Sequence, residues 1–286
     1  ETKKHAFVVR AAWLEPGMAP YFGSIEYMRA ENFREFVGAL NRWGAPSENQ
    51  VYADTEGNIG YKPAGRFPKR DNWDGLMPVP GDGRYEWDGY FDMDVLPEEY
   101  NPERGFSDTA NAMSLPNDYP IERYKVGFEW SAPWRYKRLW EYLDTPKPHS
   151  MEDSLDLQRD YHSVLARRVL ALLPELAATN PKTGGPLLAN WDQRLEVDSA
   201  AAALWNVWYY RHLNPALGNM LTQGEALPSG SLSTQTSLEL LTTDEGRARA
   251  VTSLRNAWAA TVALLGADAS QWQWGDLHQM VFAHPL

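Results

Sequence analysis

Several kinds of catalytic chemistry are closed to this chain by the side chains it lacks. There is no cysteine among its 286 residues, which removes thiolate nucleophiles, disulfides and Cys-ligated zinc or iron–sulfur centres. No Gly-x-Ser-x-Gly turn offers a serine nucleophile, and no His-x-x-x-His pair among the six histidines offers a zinc site. His278 and His284 stand beside apolar residues in the closing segment and read as packing or capping groups. Asp92, Asp94, Glu98 and Glu99 are close enough in sequence to be imagined as the acid pair of a carbohydrate-active protein, and 13 Trp and 14 Tyr could stack on sugars. A glycosidase, however, needs two carboxyls about 5 to 9 Å apart on opposite sides of one bond. Neighbouring acids are more often solvated together in a turn, and nothing in this spacing predicts the required separation.

The elements that would position any chemistry change character near Pro146-Lys-Pro148. Residues 1–145 carry short strand-like runs broken by Gly and Pro, and residues 146–286 carry long apolar periodicities. In the first part residues 6–14 read as a strand, and residues 30–40 as a helix with Phe33, Phe36, Val37 and Leu40 on one face. Residues 51–54 and 59–61 are β-prone runs joined by Thr55-Glu-Gly-Asn58, where Gly57 and Asn58 tolerate the positive φ of a tight hairpin. A strand over residues 85–91 and the run Gly105-Phe-Ser-Asp-Thr-Ala-Asn111, ending at a strand's end, complete an antiparallel set. Pro133 suits the first turn of a helix that would carry Arg135 and Arg138.

In the second part Ser150-Met-Glu-Asp153 resembles a capping box. The apolar positions after it, from Leu155 to Leu172, predict one helix running to Pro174. Further helices are expected over residues 199–213 and 247–265. Residues 215–236, rich in Gly, Ser, Thr and Pro, read as a long loop with Pro228-Ser-Gly230 at its tip.

A formal net charge of −11 argues against nucleic acid, whose phosphates demand concentrated Lys and Arg. No stretch approaches the roughly 20 apolar residues that span a bilayer, so no membrane partner is expected and the chain reads as soluble. The 43% of apolar residues suffice for a sizeable core. The first residues, Glu1-Thr-Lys-Lys-His-Ala6, lack the apolar centre of a signal peptide.

Taken in order, Tyr52-Ala-Asp54, Gly57-Asn-Ile-Gly-Tyr61, Leu76-Met-Pro-Val-Pro-Gly81, Trp87-Asp-Gly89 and Thr109-Ala-Asn111 resemble successive landmarks in the β-subunit of penicillin acylases. Gln158-Arg-Asp160, Trp191-Asp192, Trp274-Gly-Asp-Leu-His278 and Phe282-Ala-His-Pro-Leu286 continue the series. The resemblance thus spans essentially the whole chain. It implies an α+β fold: part of the αββα sandwich of N-terminal-nucleophile hydrolases, with antiparallel sheet over residues 1–145, followed by a mainly helical part over residues 146–286.

In such enzymes an autocatalytic cut leaves a β-subunit whose first residue, a Ser, is nucleophile and base together. Its hydroxyl attacks an amide carbonyl, and the α-amino group, with a reference pKa of ~8, takes the proton. The resemblance implies amide hydrolysis through an acyl-enzyme, on a β-lactam side chain, an acyl-homoserine lactone or a similar acylated amine. Residue 1 here is Glu, and the Ser-led start has no counterpart, so the chain is expected to be an interior piece of the β-subunit, inactive when isolated.

Two site positions carry over. Asn111 matches the Asn whose side-chain amide completes the oxyanion hole. Arg135 matches the Arg near the nucleophile, which orients neighbouring polar groups and favours a neutral α-amine, with Arg138 as an alternative bearer of that role. On residue type alone, Asn111 would merely satisfy loop backbone and Arg135 would be a solvated surface cation. Where many relatives have a second Asn, this chain has Ala112.

No organic cofactor is implied. A structural calcium in the full enzyme is, with the Asp74-Gly75 region and residues 118–122 as the matching neighbourhoods. Approximate alignment sets Ser24 and Glu48 where aromatic-pocket relatives have large apolar side chains, which argues against phenylacetyl specificity. The partners implied are the remaining α- and β-subunit segments of one precursor and a small acyl-amide substrate. The location implied is periplasmic or secreted.

Overall fold

The computed structural model describes residues 6–18, 21–225, 227 and 231–283, and the chain divides into two compact units, Glu1–Pro146 and Lys147–Leu286. Mixed helix and antiparallel sheet agree with the fold class read from the sequence. The sheet is small: strands β1 (Glu48–Ala53), β2 (Ile59–Ala64) and β3 (Glu99–Tyr100) lie in the order β1-β2-β3. A second layer of strands, as a complete sandwich would have, is not among the described residues.

The β1–β2 register pairs Val51 with Tyr61 and Asn49 with Pro63. Because side chains alternate across a strand, this register sorts the sheet into two faces with different work. Tyr52, Gly60 and Ala64 fall on the face covered by the Phe33–Leu40 helix, and Asn49, Tyr61 and Pro63 fall on the other.

The helix starts where Asn32 caps it, its Oδ1 accepting from the Glu35 amide at 3.0 Å. Glu35 reaches back to the amide of Glu31. The predicted face is the buried one: Phe33, Phe36, Val37 and Leu40 join Trp43, Ala64, Phe91, Met93 and Leu96 in the core. Each of the Phe, Val, Leu and Met side chains among them contributes about 1.5–3 kcal/mol by leaving water. Contact is so close at Gly60 that a Cβ there would meet the Phe33 ring at 2.6 Å, so glycine is required by space rather than by φ.

Lys62 is fully buried on the same side of the sheet. Its Nζ donates to the Leu96 carbonyl at 2.9 Å and to Glu98 at 3.2 Å, and Glu98 also pairs with Arg34 of the helix at 2.8 Å. Burial pulls the Lys62 pKa down, opposed by Glu98.

Several local expectations change. In the hairpin turn only Gly57 takes a positive φ, +88°. Asn58 instead donates through its side chain to Asp54, which also accepts from the Glu56 and Asn58 amides. Residues 6–11 form no strand and are followed by a 3-10 turn at Ala12–Leu14, leaving Val8 and Val9 more than four-fifths exposed. A strand needs a neighbour for its amides, and none pairs with these among the described residues. Residues 85–91 reduce to one bridge, Pro68 with Tyr90. Pro68 has no N–H to give a ladder, and Gly83 and Gly89 turn the chain with positive φ.

The second unit is helical. The capping box forms as read: Ser150 Oγ accepts from the Asp153 amide at 3.1 Å, and Asp153 accepts from the Ser150 amide at 2.9 Å. The single helix expected to reach Pro174 is two, Met151–Gln158 and Val164–Ala171. Between them the chain turns to bridge another segment: the Ser163 amide donates to Gln193 O, the Leu195 amide donates to Tyr161 O, and Ser163 caps the second helix. Apolar spacing continues through the break, so periodicity alone misses it.

Ala200–Trp208 passes through a π turn at Tyr209–Leu213 into Asn214–Leu221. The loop expected from residue 215 therefore begins only after Leu221. Pro215 is tolerated in the first turn of the Asn214–Leu221 helix, and Thr234–Leu241 is helical as well. The predicted loop tip, Pro228-Ser-Gly230, lies outside the described residues. Trp205, Trp208, Tyr209 and Leu213 are fully buried with Leu254 and Ala257 of the 22-residue helix Asp244–Leu265.

Candidate active site

On the sheet face away from the Phe33–Leu40 helix lies a cavity of about 430 Å³. Asn49, Tyr61 and Pro63 line its floor, Phe67, Leu115, Val126 and Trp130 its apolar walls, and Thr109, Asn111 and Arg135 one side. A short relay ties that side to the sheet. The Tyr61 hydroxyl donates to Asn49 Oδ1 at 2.7 Å, and Asn49 Nδ2 donates to Thr109 Oγ1 at 2.7 Å. Burial, with Glu99 nearby, pushes the Tyr61 phenol well above its ordinary range, so it stays a donor. The relay uses both ends of the Asn49 amide and fixes the segment leading to Asn111.

Asn111 is not at the end of a strand, since residues 105–111 form no ladder. Its φ is +61°, a left-handed conformation that Asn tolerates better than most residues. The Asn111 carbonyl accepts from the Ser131 amide at 2.9 Å, which ties it to the approach of the Trp134–Leu143 helix. From the first turn of that helix Arg135 Nη2 donates to Asn111 Oδ1 at 2.7 Å and to the Ala110 carbonyl at 3.0 Å. A guanidinium has donors only, so the oxygen of the Asn111 amide must face Arg135. Nδ2 is then the end left over, and it makes no hydrogen bond among the described residues. The pair thus presents a fixed N–H donor at the cavity's edge, suited to a negatively charged oxygen.

The structure brings Asn111 and Arg135 together and gives Arg138 a different neighbour, Glu141 at 3.1 Å. Ala112 is buried and contributes no polar side chain. Glu48 lines the cavity, whereas Ser24 opens the Ser24–Tyr27 helical turn outside its lining. Two of the four carboxylates weighed for glycoside chemistry are spent elsewhere: Glu98 on Lys62 and Arg34, and Glu99 on Arg104. His278 stacks on Trp274 with ring centroids 4.8 Å apart, and His284 lies outside the described residues.

Among the described residues no three His, Asp or Glu side chains converge to hold a metal. Asp74, in one of the calcium neighbourhoods, accepts from the Leu76 amide. These residues alone do not make a calcium cage. Asn49 carries no signal in the sequence as a site residue, and Thr109 enters only as the first residue of the Thr109-Ala-Asn111 run. Strand alternation places Asn49 on Tyr61's face only once the β1–β2 register is known.

The family model described as penicillin amidase matches residues 1–286. An acyl-homoserine lactone acylase, QuiP, of Pseudomonas fluorescens is 28% identical over 289 residues, covering 88% of this chain and 35% of that protein. A penicillin G acylase of Escherichia coli is 34% identical over 161 residues, covering 56% of this chain and 19% of that protein. A solved structure, the thermostable penicillin G acylase from Alcaligenes faecalis, superposes with a TM-score of 0.64 at 22% identity, over 91% of this chain and 54% of that one. The chain therefore spans about a third of the length of the acyl-homoserine lactone acylase it matches.

Proposed function

This chain belongs to the penicillin amidase family, and on that premise we propose that it supplies the oxyanion side of an amidohydrolase active site whose nucleophile comes from residues outside these 286. The observation that carries the reading is the 2.7 Å bond from Arg135 to Asn111 Oδ1 at the cavity's edge. The reaction is hydrolysis of the amide of an acylated amine through an acyl-enzyme, with a Ser-led chain start as nucleophile and its α-amino group as base.

As the hydroxyl adds to the carbonyl, negative charge gathers on the carbonyl oxygen. The Asn111 Nδ2–H donates to that oxygen, and Arg135 holds the amide so that no reorientation is needed at the moment of reaction. The apolar walls at Phe67, Val126 and Trp130 suit an acyl chain. Which acyl group it is, a β-lactam side chain or the fatty chain of an acyl-homoserine lactone, depends on residues beyond this cavity as well.

The experiment uses the complete processed enzyme. Losing one oxyanion donor costs about 2.7–4 kcal/mol of transition-state stabilisation, so Asn111→Ala should lower kcat by at least about a hundredfold with folding intact. Asn111→Gly, which keeps the left-handed backbone at no cost, should do the same. Unchanged kcat in both variants refutes the role. The isolated 286 residues should show no turnover of an acyl-amide, and measurable turnover would contradict an external nucleophile.

A further inference from the structure

Three residues before Asn111, Asp108 is 8% exposed and neither carboxylate oxygen makes a hydrogen bond of good geometry, although the Trp140 indole is close enough to lower its pKa. Two buried donors nearby are also unpartnered, the Trp140 indole Nε1 and Arg104 Nε. Buried polar groups are nearly always satisfied, so one acceptor and two donors left together in one patch call for a reason.

The surroundings are well ordered by packing. Trp140 lies in the Trp134–Leu143 helix, against Phe106 with centroids 5.1 Å apart and Tyr136 at 5.9 Å. The Arg104 guanidinium sits 5.2 Å from the Trp140 ring and pairs with Glu99 of β3. The charged and titratable groups facing Asp108 are therefore Glu99 from the sheet, Arg104 from its own loop, and Tyr136 with the Trp140 indole from the helix.

We propose that Asp108 is a positioning residue for the oxyanion donor: its carboxylate draws on the Trp140 indole N–H and Arg104, and so couples the helix that carries Arg135 to the segment that carries Asn111. This rests on the oxyanion reading of Asn111. The path is short. From Asp108 the chain runs through Thr109, held by Asn49, to Ala110 and Asn111, both held by Arg135. From Trp140 the helix runs back little more than one turn to Arg135. Clamping the two at Asp108–Trp140 closes a ring whose opposite side is the Arg135–Asn111 bond.

Burial pushes the Asp108 carboxyl up to about 6, with Arg104 pulling down, Glu99 pushing up and Trp140 pulling down. The clamp is then strongest when the group is ionised, above that pH, and relaxes below it.

The test is the kcat pH profile of the complete processed enzyme on an acyl-amide, for wild type, Asp108→Asn and Trp140→Phe. Asp108→Asn keeps the shape and removes the charge. Trp140→Phe keeps an aromatic ring and removes the N–H. Each should lower kcat at pH 8 by about tenfold with KM little changed, and each should weaken the acid-side inflection near pH 6, leaving any inflection from the α-amine in place. If Asp108→Asn fails to accumulate as folded enzyme, Trp140→Phe alone carries the test. A kcat within twofold of wild type together with an unmoved acid limb overturns the proposal. Asn111→Gly assayed alongside separates the two ideas. If it too is harmless the oxyanion reading has failed, and if it alone is crippled only the role of Asp108 has.

Discussion

If Arg135 acts through Asn111 rather than on substrate directly, removing it should cost nothing further once Asn111 has lost its side chain. The perturbation is Arg135→Met, which keeps much of the aliphatic stem and deletes the donors to Asn111 Oδ1 at 2.7 Å and Ala110 O at 3.0 Å. Hydrogen bonds to a charged group contribute about 1.5–3 kcal/mol. Arg135 is exposed, so the lower end applies, and about 1.4 kcal/mol is a factor of ten in rate. Arg135→Met should therefore lower kcat about tenfold in the complete enzyme, because the freed amide turns Nδ2 away part of the time.

The assay is a double-mutant cycle of kcat/KM with Arg135→Met, Asn111→Gly and the pair. The double variant should be no slower than Asn111→Gly alone, a coupling energy about equal to the whole effect of Arg135→Met. Multiplicative losses would refute the reasoning, since they would show the guanidinium acting on the transition state or the α-amine independently of Asn111.

Asp108 also makes a prediction about stability whose sign is opposite to its effect on rate. Burial raises its folded pKa from the ordinary 3.8 to about 6, so the group favours the fold fully below about pH 4, and that contribution is lost as pH rises through 6. At about 1.36 kcal/mol per pKa unit, Asp108→Asn should stabilise the enzyme by up to about 3 kcal/mol at pH 8 relative to its effect at pH 4. Thermal melts at the two pH values check this, and an equal shift at both would refute it. Asn32→Ala removes the cap of the Phe33–Leu40 helix and should cost about 1 kcal/mol in denaturant unfolding. A loss below a few tenths would mean that Glu35, through the Glu31 amide, holds the helix start unaided.

What the sequence by itself determined here is local or cumulative. The helix face of Phe33, Phe36, Val37 and Leu40 follows from its 3.6-residue spacing, the Ser150–Asp153 box from two residues three apart, and the family from an ordered series of short motifs that no single turn could supply. What only the tertiary structure decided is what depends on a distant partner. Residues 6–14 have the composition of a strand, but no strand pairs with residues 6–11 among the described residues and Ala12–Leu14 close a 3-10 turn instead. The helix expected to reach Pro174 breaks because Tyr161 and Ser163 bond to residues some thirty positions away. The site divides in the same way. Asn111 and Arg135 were legible as members of a motif series. Their contact, the free end of the Asn111 amide, the Asn49–Thr109 brace and the buried Asp108 were not, because each depends on side chains distant in sequence meeting in space, 24 positions apart for Asn111 and Arg135 and 60 for Asn49 and Thr109, and sequence spacing encodes no such distance.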